Sequence, residues 1–279
     1  MSKIVLYDLV PDVRSGQGPS FSPFCMRARL ALLHKQVDFE TRPITYHELR
    51  FGEWKDKLQV DHATAPIIKR PDGTYLMDST QIALWLDEAF PSQPNLFFPD
   101  VQTVHLDSVE YRAAVEKFES NLKDLVNPNR QQQTGLRRRG EFWYALFSLY
   151  ARRIVNLFND ETKEYWTADE RLGQGVWKSI ISSDPEPLIG TIQNGCRTLS
   201  RHLGESQFFS SPRQPGIKDF TLMGDVQLIR SVSPELYETC FRQPQGQQGF
   251  VDWLDRMDRL YPMRDVRERD SKHEIQVCH

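Results

Sequence analysis

Cysteine is scarce in this chain: four thiols, Cys25, Cys196, Cys240 and Cys278, are scattered over 279 residues. Their spacing forms no disulfide framework, which favours reduced thiols and a cytoplasmic setting. Long apolar runs are missing, and none approaches the ~20 residues that span a bilayer. The opening segment, Met1 to Asp8, has too little apolar length for a secretory leader and reads as a strand. No excess of one charge exists, since 35 Lys and Arg stand against 38 Asp and Glu. Such a balance gives no electrostatic footprint for nucleic acid. The one basic run, Arg137-Arg138-Arg139, fits a solvated helix face. The G-x-S-x-G elbow and the phosphate-binding glycine loop are both absent. The seven histidines include no pair at metal-ligand helix spacing, so no protein-bound metal is expected.

What is present is a change of character along the chain. Ile4 to Leu9 reads as a strand, followed by a Gly/Pro/Ser-rich loop from Pro11 to Pro19. Ser22-Pro23 opens a helix, because Ser is a good N-cap and Pro suits a first helical position that needs no N–H. Val37 to Ile44 reads as a second strand, and Glu48 to Leu58 is polar and only weakly helical. A third strand over Pro66 to Lys69 and a fourth over Tyr75 to Met77 flank Pro71-Asp72-Gly73, a hairpin signal. Ser79 is expected to cap a helix with Ile82, Trp85, Leu86 and Ala89 on its apolar stripe. The order β-α-β-α-β-β-α is thioredoxin-like. From about residue 101 only helical spacing recurs: Tyr111 to Leu125, Phe142 to Phe158, 185–203, 222–231 and 248–260. Two domains are expected, a thioredoxin-like 1–91 and an all-helical 101–265, with 160–185 unassigned.

Three short pieces of the first ninety residues can carry chemistry. Ser22, at an N-cap, sits where orphan N–H groups and the positive end of a helix converge, a place that favours an anion such as a thiolate. Its hydroxyl can donate to sulfur. Cys25, one turn in, reads as a buried small hydrophobe. Because Ser22 stands where a dithiol site has its first cysteine, exchange by the protein's own thiols is disfavoured. Ala65-Pro66 would, if cis, turn the backbone of residue 65 toward an extended peptide; the other reading is an edge-strand proline. Asp78-Ser79 can take a carboxylate on the helix start and an ammonium group on Asp78, or can be a plain cap. A thiol, a peptide backbone and a free amino-acid end are the three parts of glutathione.

These stretches, with Arg29-Leu30-Ala31-Leu32 and Ile82-Ala83-x-Trp85-Leu86-Asp87, resemble cytosolic glutathione transferases, in particular the fungal and bacterial etherase-related group. The resemblance implies a thioredoxin-like domain followed by a helical one, with Ser22 as the thiol-activating residue. It further implies a glutathione site made of Ser22, Phe24, Ala65, Pro66, Asp78 and Ser79, glutathione as co-substrate, and a homodimer. Tyr111 and Phe118 are candidates for a hydrophobic pocket. The family's Ser/Thr-x-x-Asp cap on a central helix of the second domain has its best candidate here in Asp225, although Leu222 stands three residues before it. The expected activity is attack of the glutathione thiolate on a hydrophobic or aromatic electrophile, with cleavage of aryl ethers as a variant. The alternatives are a non-catalytic ligand-binding or scaffold protein, and a thiol reductase using Cys25.

Overall fold

A computed structural model describes residues 3–11, 22–98, 141–242 and 245–262. The described chain begins with β1 (Ile4–Val10), α1 (Pro23–His34) and β2 (Phe39–Thr45). Two short helices follow, α2 (Tyr46–Phe51) and α3 (Trp54–Leu58). β3 (Ile67–Lys69), β4 (Tyr75–Met77) and α4 (Ser79–Ala89) complete the first half. The four strands run in the order β2-β1-β3-β4, with β1 parallel to β2 and antiparallel to β3. β1 is central and buried along its whole length, which is why it carries Ile4, Val5, Leu6, Tyr7 and Leu9 without alternation.

This is the expected thioredoxin-like order, with differences at the edges. The weakly helical stretch 48–58 is two helices, split at Gly52, and the first begins on a full capping box between Thr45 and Glu48. Glu48 Oε2 accepts from the Thr45 N–H at 2.7 Å, and Thr45 Oγ accepts from the Glu48 N–H at 3.0 Å. Local caps offset the lack of an apolar stripe. At α4 the cap is Asp78 and not Ser79, which is the first helical residue.

Among its described residues the second half has helices and no strand. It comprises α5 (Glu141–Ile154), α6 (Asp160–Thr167), α7 (Asp169–Leu172), α8 (Val176–Ser182) and α9 (Pro185–Leu203). Beyond these lie α10 (Ile217–Val232), α11 (Pro234–Tyr237) and α12 (Gln248–Leu260). The unassigned stretch 160–185 therefore holds three short helices. Its pattern is weak because its apolar residues pack on several neighbours and form no stripe. Trp166 alone meets Phe147, Phe158 and Trp177. The expected onset of the second domain at 101, with Tyr111 and Phe118, lies outside the described residues.

One apolar core runs through both halves. Leu6, Met26, Leu30 and Ile82 share a cluster with Phe142, Ile192, Phe220 and Trp253. α10 is its central rod, and its start settles where the cap lies. Asp219, fully buried, accepts from the N–H groups of Phe209, Ser210 and Gly216 and from the Trp253 indole, at 2.8 to 3.1 Å. The N-cap is Gly216, so the capping acid is Asp219 and the equivalence drawn for Asp225 is wrong. A glycine cap hid the signal, since the sequence reads Gly-x-x-Asp. The glycine is sterically required: a Cβ there would stand 2.7 Å from the Leu96 carbonyl oxygen. The missing cap hydroxyl is supplied by Ser210, whose Oγ accepts from the Lys218 N–H at 3.2 Å.

The same Leu96 carbonyl accepts from the Ile217 N–H at 3.0 Å, so the segment after α4 closes the start of α10. That segment is held from the other side by Asp87, which takes the N–H groups of Leu96 and Phe97. Asp87 in turn pairs with the wholly buried Lys35 at 2.8 Å. At the end of α1, His34 Nε2 meets the Asn95 carbonyl oxygen at 3.2 Å, so this nitrogen carries the proton and Nδ1 accepts from the Tyr261 hydroxyl at 2.7 Å. A continuous polar seam thus joins the two halves beside the apolar core.

Two outcomes follow from the seam. Replacing Asp219 by Ala leaves four N–H donors unmatched in the interior, and should lower stability by about 3 kcal/mol or more in denaturant titration. His34 is held below its ordinary value of 6.5, chiefly by desolvation on burial. Below that value the unfolded chain takes up a proton that the folded chain resists. This share of stability is therefore present above 6.5 and declines as pH falls through the window beneath it. Denaturation midpoints taken from about pH 7 to about pH 5 should fall less steeply in His34→Gln than in the parent.

Candidate functional site

The three chemistry-bearing pieces meet at the C-terminal end of β1. Ser22 is extended (φ −100°, ψ 116°) and caps α1: its Oγ accepts from the Cys25 N–H at 3.2 Å and its carbonyl from Met26 N–H at 3.1 Å. Pro23 occupies the first helical position, as its missing N–H allows. With one lone pair engaged, the Ser22 hydroxyl can still turn its proton outward as a donor. The side chain is largely buried at the head of α1, beside the half-exposed ring of Phe24.

Cys25, in the same turn, faces the interior. It has no exposed surface, and burial pushes its thiol far up, the nearby Asp8 carboxylate adding to that; contact with the Ser22 hydroxyl pulls weakly in the opposite sense. Burial of that kind favours the protonated thiol and keeps it out of reach of a disulfide partner.

The Ala65-Pro66 bond is cis. Pro66 leads into β3, whose Ile67 pairs with Tyr7 of β1 on one side and Met77 of β4 on the other. The Pro66 carbonyl accepts from the Asp78 N–H at 3.3 Å, which ties the second piece directly to the third. Asp78 stands at φ +81°, a conformation that costs a non-glycine residue roughly 1–3 kcal/mol. Its carboxylate recovers part of that as a cap, accepting from Thr80 N–H at 2.7 Å and Gln81 N–H at 3.1 Å. Ser79 is buried in the first turn beside it. Asp78 is thus committed to its own helix before any ligand arrives, and the ammonium-pairing role expected of it has to share that carboxylate.

Arg27 links the two helix starts. It projects from α1, is almost fully buried, and its guanidinium hydrogen-bonds the Thr80 hydroxyl in the first turn of α4. Two residues on, Arg29 forms a buried ion pair with Asp8 at 2.8 Å and also reaches the Thr41 hydroxyl. These two arginines anchor α1 to the sheet and to α4. The sequence reading missed Arg27, although a lone cation inside the apolar run Cys25-Met26-Arg27-Ala28 is a signal for a buried partner.

Ser22, Phe24, Pro66, Asp78 and Ser79 are therefore gathered by α1, β3 and α4, with Ala65 on the cis bond; Tyr111 and Phe118 lie outside the described residues. A cleft lined by Lys3, Val5, Glu40, Lys69, Arg70 and Asp72 sits at the other end of the sheet. The pairing of Val5 with Lys69 puts that cleft at the start of β1, away from Pro66. It has no part in the site. Among the described residues no group of His, Cys, Asp and Glu side chains could hold a metal ion.

Residues 18–94 match the family model of the glutathione S-transferase N-terminal domain. Solved structures agree over nearly the whole chain. The glutathione transferase GSTFuA2 of Phanerochaete chrysosporium superposes with a TM-score of 0.65 at 19% identity, covering 91% of this chain and 98% of that one. The chain has the glutathione transferase fold. A second structure with this fold, the glutathione S-transferase CsGST63524 of Ceriporiopsis subvermispora in complex with glutathione, gives 0.67 at 17% identity, with 95% and 100% covered. The β-etherase LigF of Sphingobium sp. strain SYK-6 gives 0.53 at 14% identity, with 96% and 98% covered. Within this transferase fold, the three pieces fall inside the matched N-terminal domain.

The interior position of Cys25 has a direct readout. At neutral pH the native protein should leave Cys25 unmodified by a thiol alkylating reagent, and the same peptide should label fully in denaturant. Peptide mapping by mass spectrometry after each treatment checks this.

Proposed function

We propose that the protein is a glutathione transferase that conjugates the glutathione thiolate to a hydrophobic or aromatic electrophile. The observation that carries this reading is the convergence of the Ser22 N-cap, the cis Ala65-Pro66 bond and the Asp78-Ser79 helix start, linked through the Pro66–Asp78 and Arg27–Thr80 hydrogen bonds. Glutathione bound in complex with CsGST63524 adds support from a protein of the same fold.

Glutathione would lie extended across this edge. Its γ-glutamyl carboxylate takes the N–H and hydroxyl of Ser79, on the positive end of α4. Its backbone pairs with Ala65, and its sulfur faces Ser22. The Ser22 hydroxyl and the start of α1 stabilise the thiolate, and lowering a thiol by one unit from about 8.5 corresponds to about 1.4 kcal/mol. The thiolate then attacks the electrophilic carbon: a C–S bond forms as the carbon's bond to the leaving group breaks, and the leaving group departs with the electron pair. Where the leaving group is an aryl oxide, the step is ether cleavage and the phenolate takes a proton from water. The chain's own contribution is thiolate stabilisation together with positioning of the two reactants. Phe24, half exposed beside Ser22, suits an apolar second substrate. A two-part organisation with glutathione on 1–91 and the electrophile against 101–265 belongs to this reading, as do a homodimer and a cytoplasmic location. Among the described residues no helix is long and apolar enough to cross a membrane.

A reductase working through Cys25 is disfavoured by the burial of that thiol. The deciding experiment combines calorimetry and turnover. The parent should bind glutathione and turn over a generic aryl electrophile. Ser79→Ala should weaken binding. Ser22→Ala should keep binding but lose about ten- to a hundredfold in kcat/KM, the loss of one hydrogen bond to a charged sulfur. A parent that binds no glutathione would sink the proposal.

A further inference from the structure

The head of α1 is pressed by the backbone of another helix. α10 runs antiparallel to α1: Phe220, near its start, stands 5.3 Å from the His34 ring at the end of α1, and Gly224, one turn later, lies at Pro23. A Cβ added at Gly224 would stand 2.4 Å from the Pro23 carbonyl oxygen, 3.2 Å from its carbon and 3.4 Å from its Cα. All three are main-chain atoms, with no flexible side chain between the helices to yield. The contrast within the same helical half is Gly195 of α9, where an added Cβ would meet the ring of Phe142, a side chain and not main chain, remote from the head of α1. One turn beyond Gly224, Leu228 belongs to the apolar cluster that contains Cys25. Pro23 is the first residue of α1, so its carbonyl is held in the helical turn and yields only if that turn shifts. The residue that caps this turn, bonded directly to Pro23, is Ser22.

We infer that Gly224 is a positioning residue for the Ser22 site: its bare backbone sets the height of the first turn of α1, and through Pro23 it fixes where the Ser22 hydroxyl and the N–H groups of that turn point. The inference rests on the reading that Ser22 holds the thiol of glutathione. It assigns to a residue of the helical half, far along the chain from the site and outside the matched N-terminal domain, control over the chemistry of the other half. A displacement of a few tenths of an ångström at Pro23 lengthens the hydrogen bond from Ser22 to sulfur and tilts the helix start away from it, and both effects weaken the thiolate.

The test compares Gly224→Ala with Gly195→Ala, each adding one methyl at a close helix crossing. Amide hydrogen exchange at Cys25 and Met26, whose N–H groups bond Ser22, is read in the ligand-free protein. The apparent pKa of bound glutathione is read from the ultraviolet absorbance of its thiolate. Gly224→Ala should speed exchange at these two amides by about tenfold or more and move the thiol pKa upward, toward the free value near 8.5. Gly195→Ala should do neither, whatever it costs in melting temperature. If Gly224→Ala does not fold, Leu228→Ala loosens the same crossing without adding bulk and should shift both readouts in the same direction. Unchanged exchange, or faster exchange with an unmoved thiol pKa, overturns the inference. A parent that shows no bound thiolate defeats the glutathione reading separately, and the exchange arm alone then decides whether Gly224 sets the first turn.

Discussion

The crossing of α1 and α10 is the constraint on which the rest of the structure depends. α1 carries Ser22 at its head, two buried arginines along its length and His34 at its foot, and α10 lies against it from one end to the other. An interior helix needs its first N–H groups satisfied without water. α10 meets this need with its own Asp219 carboxylate and with two borrowed groups, the Leu96 carbonyl and the Ser210 hydroxyl. The borrowed groups come from two different stretches of chain, so the start of α10 is also the place where those stretches are pinned. The polar seam and the apolar core thereby reinforce one another.

Much of the first half was legible in the sequence because its signals are local. Ser22-Pro23 is a cap followed by a proline at the only position that tolerates it, and Pro71-Asp72-Gly73 is a turn by its composition. The apolar runs have strand or helix lengths. Residues whose partners are distant were not legible. Asp219 reads as an ordinary surface acid until Phe209, Ser210 and Trp253 are brought around it, and Gly216 conceals a cap that the usual hydroxyl would have announced. For the same reason 160–185 gave no pattern: its short helices are held by aromatic contacts to other elements and not by a stripe of their own.

The site shows the same division. Its residue types and their order could be read, but not their prior commitments. Asp78, read as either an ammonium-binding carboxylate or part of a plain cap, is a strained cap already holding two N–H groups. Cys25 looked like a buried hydrophobe, and it is one. Arg27, which no motif contains, ties the two helix starts together. A ligand therefore meets an edge already braced by internal hydrogen bonds, and gains little by reorganising it.

The helical half also reaches round to the flank of the sheet. α6 lies along α2, with Glu161 paired to His47 at 2.8 Å, Phe158 against Tyr46, and the guanidinium of Arg50 stacked between the rings of Tyr46 and Tyr165 at 5.4 and 5.5 Å. The chain has in effect claimed that flank for itself. The two halves are thus clamped at a second place, remote from the α1–α10 crossing, and prising them apart means breaking an aromatic and charged contact as well as the apolar core.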